Sequence, residues 1–537
     1  MSVDHQVLEP DAVLPDAGRT ARKQSLKKQF LPNLLANGGI FVLNILLGMW
    51  YTPYLIHHLG VAAYGLVPLA NSLTSYLSLV SLSLNGAAGR FLTLDLAKQE
   101  YGSANRTFNT VLFGNVGLVA LTLPLVIGLA LVAPHWFDIP VGLEVYTQWL
   151  FAATLFSYLL TLLQSSFSVS SWARNRFDLR NAVIALHHLA RVGLVVAAFS
   201  LVQPALWHVG LGIFGATLLG FAGDVWLWRK LTPQLHVQLT SFDRSRVREL
   251  FSMGGWLVVN QIGTLLFLKI DLIVANILLG AEIAGEYGSL ILFSTMLRQL
   301  AQTASTVLTP TVLAKYAHGD MKAVNRISQQ AVKFSGLALA LPIGLICGLA
   351  QPLLALWLGP EFQRLAGLLV MLTAHLVINL AVQPLFGLNM AFNKVSLPGI
   401  VTLVMGVMNV GLAVALARLG WGAVGIAAAG ALVLTLKNAL FTPIYAAYIQ
   451  KLPWWTFMKT MFLIILAAFF VGGMAYAATQ LIQVRSWFML IAVGGGLSLL
   501  YTAAVYFGLL RKEDRDLLFT LLPANAWVQS SRLLNRD

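Results

Sequence analysis

The chain is divided into long apolar blocks, and that feature leaves few folds open to it. Blocks near 32–55, 62–85, 107–133, 147–169, 180–201, 207–228, 251–278, 284–310, 330–356, 364–389, 396–417, 422–446, 457–480 and 487–509 approach the ~20 residues a helix needs to cross a bilayer. A backbone in hydrocarbon must satisfy its own hydrogen bonds, so only helices or a closed barrel can span it. The short alternating segments of a membrane barrel are absent from the sequence. Only 10% of the 537 residues are charged, against about 25% in soluble proteins. The expectation is an all-α polytopic membrane protein with about fourteen transmembrane helices.

The charges that remain are unevenly placed. Of the 35 Lys and Arg, 28 fall in one set of alternating loops and tails, while Arg364, Arg418 and Arg485 stand on the opposite side. This asymmetry predicts that both termini are cytoplasmic. It also accounts for the net charge of +14 without nucleic acid, as a topology signal and an attraction to anionic headgroups. No cleavable signal segment is expected before the first span. The single Cys347 argues against an internal disulfide or a cysteine-rich metal site. Asn105-Arg106-Thr107 matches a glycosylation sequon, but it falls on the expected cytoplasmic side and is discounted.

The opposite loops are short, the longest being "APHWFDIPVGLEVY" at 133–146. No phosphate-cradling Gly loop, His-Glu-x-x-His pair or nucleophile elbow is found. The Gly-rich "VGGGL" at 493–497 lies inside a block, where it suits close helix packing. Neither an enzyme nor a metal or organic cofactor is expected.

The chain also repeats itself. "NGGIFVLN" (37–44) matches "MGGWLVVN" (253–260), "YGLV" (64–67) matches "YGSL" (287–290), and "AKQEYGSANR" (97–106) matches "AKYAHGDMKAVNR" (314–326), at offsets of 216 to 223 residues. Each copy holds six blocks. An even number keeps both copies in one orientation, related by a pseudo-two-fold axis along the membrane normal. The expected organisation is a flexible cytoplasmic tail (1–29), an N-lobe of helices 1–6 (30–230), a cytoplasmic linker (231–250) and a C-lobe of helices 7–12 (251–450). Helices 13 and 14 (451–510) and a cytoplasmic tail (511–537) complete it.

Helical periodicity places polar residues on single faces. Asn33, Asn37 and Asn44 share a face of helix 1. Asn71, Ser75, Ser78 and Asn85 share one on helix 2, and Asn260, Thr264 and Asp271 one on helix 7. Helix 8 carries Ser294, Arg298, Gln302, Ser305 and Thr309. Such residues commonly tie helices together. The four striped helices hold equivalent positions in the two copies, so they are expected to line a shared hydrophilic cavity. Arg191, Lys269, Arg298 and Lys437 lie well inside blocks, and His187, His188 and His375 can add positive charge, against one clearly internal carboxylate, Asp271. Charges at such depth normally face a cavity or a partner. Lys269 and Asp271 sit ~200° apart around a helix and do not simply neutralise each other. The cationic excess of Arg298, Arg191, Lys269 and Lys437 suits an anionic ligand, above all a phosphate. The amides and hydroxyls suit sugar hydroxyls. Burial disfavours a charged Asp271 and nearby cations favour it, so this residue is the expected site of proton or sodium coupling.

The fourteen-helix layout, "SFDRSRVRELFSMGGWLVVNQ…LKIDLIVANILLGAEIAGEYGSL" (241–290) and "YLIHHLGVAAYGLVPLANSLTSYLSLVSLSLNGAAGR" (54–90) resemble the polysaccharide transporter family of the multidrug/oligosaccharidyl-lipid/polysaccharide (MATE-like) exporter superfamily. The resemblance covers roughly residues 28–510. It implies a flippase of the bacterial inner membrane that moves polyprenyl-pyrophosphate-linked oligosaccharide by alternating access, with helices 1, 2, 7 and 8 around the cavity. It implies membrane lipids, a glycan polymerase and a chain-length regulator as partners in assembling O-antigen, capsule or exopolysaccharide. Asp271 falls on the acidic position common after helix 7 in such proteins, and Lys269 on the basic or polar position before it. A peptidoglycan-precursor flippase or an ion-coupled multidrug exporter would share the fold. The exporter should carry more acids than bases in its lumen. A membrane glycosyltransferase or glycan polymerase would need catalytic carboxylates and larger loops.

Overall fold

A computed structural model describes residues 16–246, 255–510 and 514–515. Helices dominate the described residues, and strands are absent among them. Twelve described helical stretches are long and apolar enough to cross a membrane. One of them, Ser396–Ile449, is 54 residues long. It is interrupted at Gly420 (φ 88°), between the expected blocks 396–417 and 422–446. The block at 284–310 lies in the 37-residue helix Ala281–Ala317, whose apolar run is diluted by Glu282, Glu286, Arg298 and Lys315. The chain is an all-helical, multi-pass membrane protein.

The first seven helices are α1 (Asp16–Leu59), α2 (Val61–Leu77), α3 (Leu79–Ala97), α4 (Tyr101–Trp136), α5 (Glu144–Ala173), α6 (Phe177–Leu201) and α7 (Leu206–Leu231). Helix α1 begins inside the expected tail, where "DAGRTARKQSLKKQ" is rich in good helix formers. Residues 1–15, part of the linker (247–250) and nearly all of the C-terminal tail lie outside the described residues. The block at 251–278 becomes two helices, α8 (Gly255–Leu268) and α9 (Ile270–Leu279). Then follow α10 (Ala281–Ala317), α11 (Met321–Gly348), α12 (Ala350–Trp357) and α13 (Ala366–Thr373). After α14 (Leu376–Ala381) and α15 (Leu385–Ala391) come α16 (Ser396–Leu416), α17 (Gly422–Leu436) and α18 (Thr442–Ile449). The last two are α19 (Met458–Leu481) and α20 (Trp487–Ala504).

The turns repeat as the sequence does. Positive φ recurs in pairs, at Gly60 and Gly280, Gln99 and Gly319, Gly142 and Gly359, and Asn175 and Asn393. The members of each pair are 217 to 220 residues apart. Three of the pairs end helices with the same bonds. The Gly60 amide donates to Ile56 O at 2.9 Å and the Gly280 amide to Asn276 O at 3.0 Å. The residue after each of Gln99 and Gly319 donates five positions back, Glu100 to Asp95 O (3.0 Å) and Asp320 to Lys315 O (3.1 Å). Arg176 and Lys394 do likewise to Ser171 O (2.9 Å) and Asn389 O (2.7 Å). A left-handed residue with such a bond back satisfies carbonyls that a helix end would otherwise leave open.

The helices form two compact units. In the first, Met1–Leu292 with Gly399–Gly430, α5 packs along α7 and α4, and α6 along α7 and α1. Phe108 stacks on Trp228 at 5.3 Å, and Phe167 meets the same indole edge-on at 5.3 Å. In the second, Phe293–Pro398 with Ala431–Asp537, α11 packs along α19 around Leu297, Val332, Leu339, Leu380 and Ile464. Helix α20 buries no residue, and Phe488 on it is 80% exposed. In water this would be an aggregation hazard, but in lipid it is the expected outer face.

Helix α2 approaches α10 backbone to backbone. A Cβ on Gly65 would lie 2.7 Å from Gly285 N and 2.8 Å from its Cα. Gly65→Ala is expected to destabilise the protein by ~1–3 kcal/mol through overpacking. Gly38→Ala, which has nothing within 4 Å of its added Cβ, should leave the melting midpoint in detergent unchanged.

Candidate functional site

The charges inside the spans are held differently in the two units. In the first unit the helix expected over 251–278 breaks at Lys269 (φ −124°, ψ −22°), the residue between α8 and α9. Helix α9 thereby gains an N-terminus inside the membrane, with Asp271 in its first turn. A carboxylate there sits favourably against the helix dipole. It accepts hydrogen bonds from Tyr287 Oη at 3.1 Å and Asn409 Nδ2 at 3.3 Å. Asn409 also donates to Leu266 O at 3.0 Å, in the turn before the break. Tyr76 donates to the neighbouring Leu265 O at 3.3 Å. Lys269 is half-buried and makes no side-chain hydrogen bond or ion pair with the described residues.

Arg191, on α6, lies over the Tyr51 ring at 5.5 Å, and its Nε is buried without a hydrogen-bond partner. His187 and His188 sit one turn earlier on α6, with ring centroids 5.3 Å apart. A second carboxylate is present nearby. Asp224 of α7 is buried and accepts from Gln164 Nε2 at 2.8 Å. Arg180, stacked over Trp172 at 5.0 Å, acts on it electrostatically. Asp271 is therefore not the single internal carboxylate. Asp224 stands in "GFAGDVWLW" near the end of an apolar block. That proximity to the basic loop hides it in a reading by depth, although an acid in such a run is itself a signal.

The polar stripes are engaged locally. Asn33 Oδ1 accepts from the Asp178 amide at 2.9 Å and its Nδ2 donates to Asn175 O at 3.0 Å. Asn37 Oδ1 accepts from Asn181 Nδ2 at 2.7 Å. These amides tie α1 to the start of α6. Asn71, Ser75 and Ser78 donate to carbonyls on their own helix at 3.1, 3.0 and 2.7 Å. Thr264 does the same to Asn260 O at 2.8 Å. Asn44 and Asn260 are half-buried on α1 and α8.

In the second unit, Lys437 is only 8% exposed and its Nζ lies 5.2 Å from the Phe386 ring centroid. It forms no ion pair with the described residues. It begins a widened helical turn, Lys437–Phe441, between α17 and α18. On α14 and α17, the Asn379 carboxamide is 2.7 Å from His375 Nδ1 and 3.2 Å from Thr435 Oγ1. The charge of Arg298 acts on His375. Gln302 is exposed one turn further along α10. The structure thus brings Asp271 together with tyrosines and an asparagine, not with Lys269. It leaves Lys269, Arg191 and Lys437 as cations inside candidate membrane spans without carboxylate partners among the described residues of their units.

Comparison with known proteins gives the class. A family model described as "Polysaccharide biosynthesis protein" matches residues 30–316. A relative from Bacillus subtilis (strain 168), described as "Uncharacterized membrane protein EpsK", is 34% identical over 493 residues, covering 91% of this chain and 97% of its own. The chain belongs to the polysaccharide biosynthesis protein family. Its fold is that of the lipid II flippase MurJ in an inward closed conformation (TM-score 0.64, 15% identity, 89% of this chain and 99% of that one). It is shared with an inward-facing multidrug-resistance MATE transporter of the MOP superfamily (TM-score 0.59, 14% identity, 78% and 99%).

The contrast between the two buried groups is testable. Asn409→Ala strips a donor from Asp271 and from Leu266 O and should destabilise by ~1–3 kcal/mol. Lys437→Met removes a desolvated charge at nearly constant volume, so its melting midpoint should be unchanged or raised. Thermal melts of the two variants in one detergent check both.

Proposed function

We propose that the protein is a flippase that carries polyprenyl-pyrophosphate-linked oligosaccharide across the bacterial inner membrane for surface polysaccharide assembly. The observation that carries this reading is the set of embedded cations, Arg191, Lys269 and Lys437, without carboxylate partners among the described residues of their units. Holding a charge away from water is costly, and a protein that keeps three of them gains by offering them to an anionic ligand. A pyrophosphate between lipid and sugar supplies such charge, and guanidinium and ammonium groups bind it with charge-assisted hydrogen bonds. Membership of a polysaccharide biosynthesis family and the fold of a lipid flippase support a lipid-linked glycan as the cargo.

The carrier works by alternating access, with both termini in the cytoplasm. Asp271 is the group through which a proton or sodium ion is coupled. Its carboxylate is held by Tyr287 and Asn409 beside a break in the helix, so a small change at the break alters the bonds that stabilise its charge. Arg298 contacts the pyrophosphate, and Asn44, Asn260 and Gln302, the stripe residues not committed to the local bonds described above, contact the glycan. A glycan polymerase and a chain-length regulator act on the product.

Deleting the gene is expected to leave a polyprenyl-linked oligosaccharide in the membrane and to deplete surface polysaccharide. Mass spectrometry of lipid extracts checks this. Complementation with Lys437→Met should fail although that variant folds. Accumulation of the peptidoglycan precursor instead would shift the assignment to that cargo. Intact surface polysaccharide without any accumulated lipid-linked glycan would overturn it.

A further inference from the structure

A cavity of about 610 Å³ opens where α7 leaves the membrane. Its walls are aromatic, from Phe167, Phe221 and Trp228, and its floor includes Leu235. Arg229 and His236 stand at the same cavity, and no carboxylate among the described residues lines it. The walls belong to a packed cluster. Phe167 meets Phe221 edge-on at 5.7 Å, and Trp228 stacks on Phe108.

The outer side is a loop held in a fixed shape. Asn109 donates to His236 O at 2.8 Å and accepts from the Gln238 amide at 2.7 Å. Asn105 accepts from the His236 amide at 2.8 Å. Ser170 and Thr232 hydroxyls are 2.9 Å apart, and Arg174 Nε donates to Leu231 O at 3.2 Å. The side chain of Asn105, the sequon asparagine, is thus committed to shaping this loop.

The surroundings are those of a membrane surface. Val237 and Leu239 are 51% and 69% exposed on the loop, and exposed Trp226 carries Lys230 over its ring at 4.6 Å. Aromatic rings, basic groups and exposed apolar side chains together mark the headgroup level. A site with an apolar body and a cationic rim at that level matches an amphiphile with an anionic head.

We propose that this cavity binds one anionic phospholipid, its acyl chain against Phe167, Phe221 and Trp228 and its headgroup on Arg229 and His236. The site lies wholly within the first unit and is independent of what the protein carries. The lipid covers apolar surface at the corner where α5, α7 and the loop meet, and so anchors the loop to the bilayer.

The test uses full-length protein, stripped of lipid and offered equal phosphatidylglycerol and phosphatidylcholine, with bound lipids counted by native mass spectrometry. The wild type should retain phosphatidylglycerol in preference. Arg229→Ala should weaken that retention about fivefold, as expected for one basic residue at a membrane surface. Arg418→Ala, an exposed cation elsewhere, should have no effect. Val237→Trp, which fills the cavity from its exposed wall without changing charge, should also expel the lipid, and it decides the matter if the Arg229 variant does not fold. Millimolar inorganic phosphate should not compete, because the acyl chain supplies much of the affinity. Equal retention of the two lipids, unchanged retention in Val237→Trp, or displacement by phosphate would each overturn the proposal.

Discussion

A peptide group in hydrocarbon has no water to bond to, and the rest of this structure follows from that. Every described span is helical, and three pairs of turns and the break at Lys269 are supplied with hydrogen-bond partners. The turns near the membrane surfaces close with left-handed residues and backward hydrogen bonds, in the same order in both copies of the repeat. The break at Lys269 lies inside a span, and there the side chains of Asn409 and Tyr76 serve the carbonyls of Leu266 and Leu265. A break so supported gives Asp271 a helix N-terminus that a continuous helix could not offer it.

The embedded charges divide by how they are held. Asp271 and Asp224 each have side-chain donors, Tyr287 and Asn409 for the first and Gln164 for the second. Lys437 and Arg191 rest against aromatic rings at 5.2 and 5.5 Å. A cation over a ring face is stabilised by ~0.5–2 kcal/mol, less than the several kcal/mol that desolvation costs. The deficit is what an arriving anion can relieve, and it links these side chains to the proposed cargo.

Much of the fold was legible because membrane spans announce themselves by length. The internal offset was legible too, since the paired left-handed turns stand 217 to 220 residues apart, close to the spacing between "NGGIFVLN" and "MGGWLVVN". Other features left weaker traces. Lys269 is neither Pro nor Gly, so nothing in "LFLKIDL" signals a broken helix. Asn33 and Asn37 share a face, as cavity-lining residues would, but periodicity reports only the face. Their amides bind the start of α6, and that partner is about 140 residues away in the chain. Asp224 lies near the end of the block at 207–228, and block limits are uncertain by several residues, so sequence depth does not mark it. The pairing of Asp271 with Tyr287 and Asn409 joins three separate segments, which no local pattern encodes.

The central claim is that embedded cations recognise the pyrophosphate of a lipid-linked glycan. Its most direct test reconstitutes the purified protein in vesicles with two substrates of identical glycan and prenyl chain, one joined through pyrophosphate and the other through a neutral linkage. The account predicts that the pyrophosphate form crosses the bilayer at least about tenfold faster, as the loss of charge-assisted hydrogen bonds implies, and that Lys437→Met erases the difference. Equal rates for the two lipids in the wild type would contradict it.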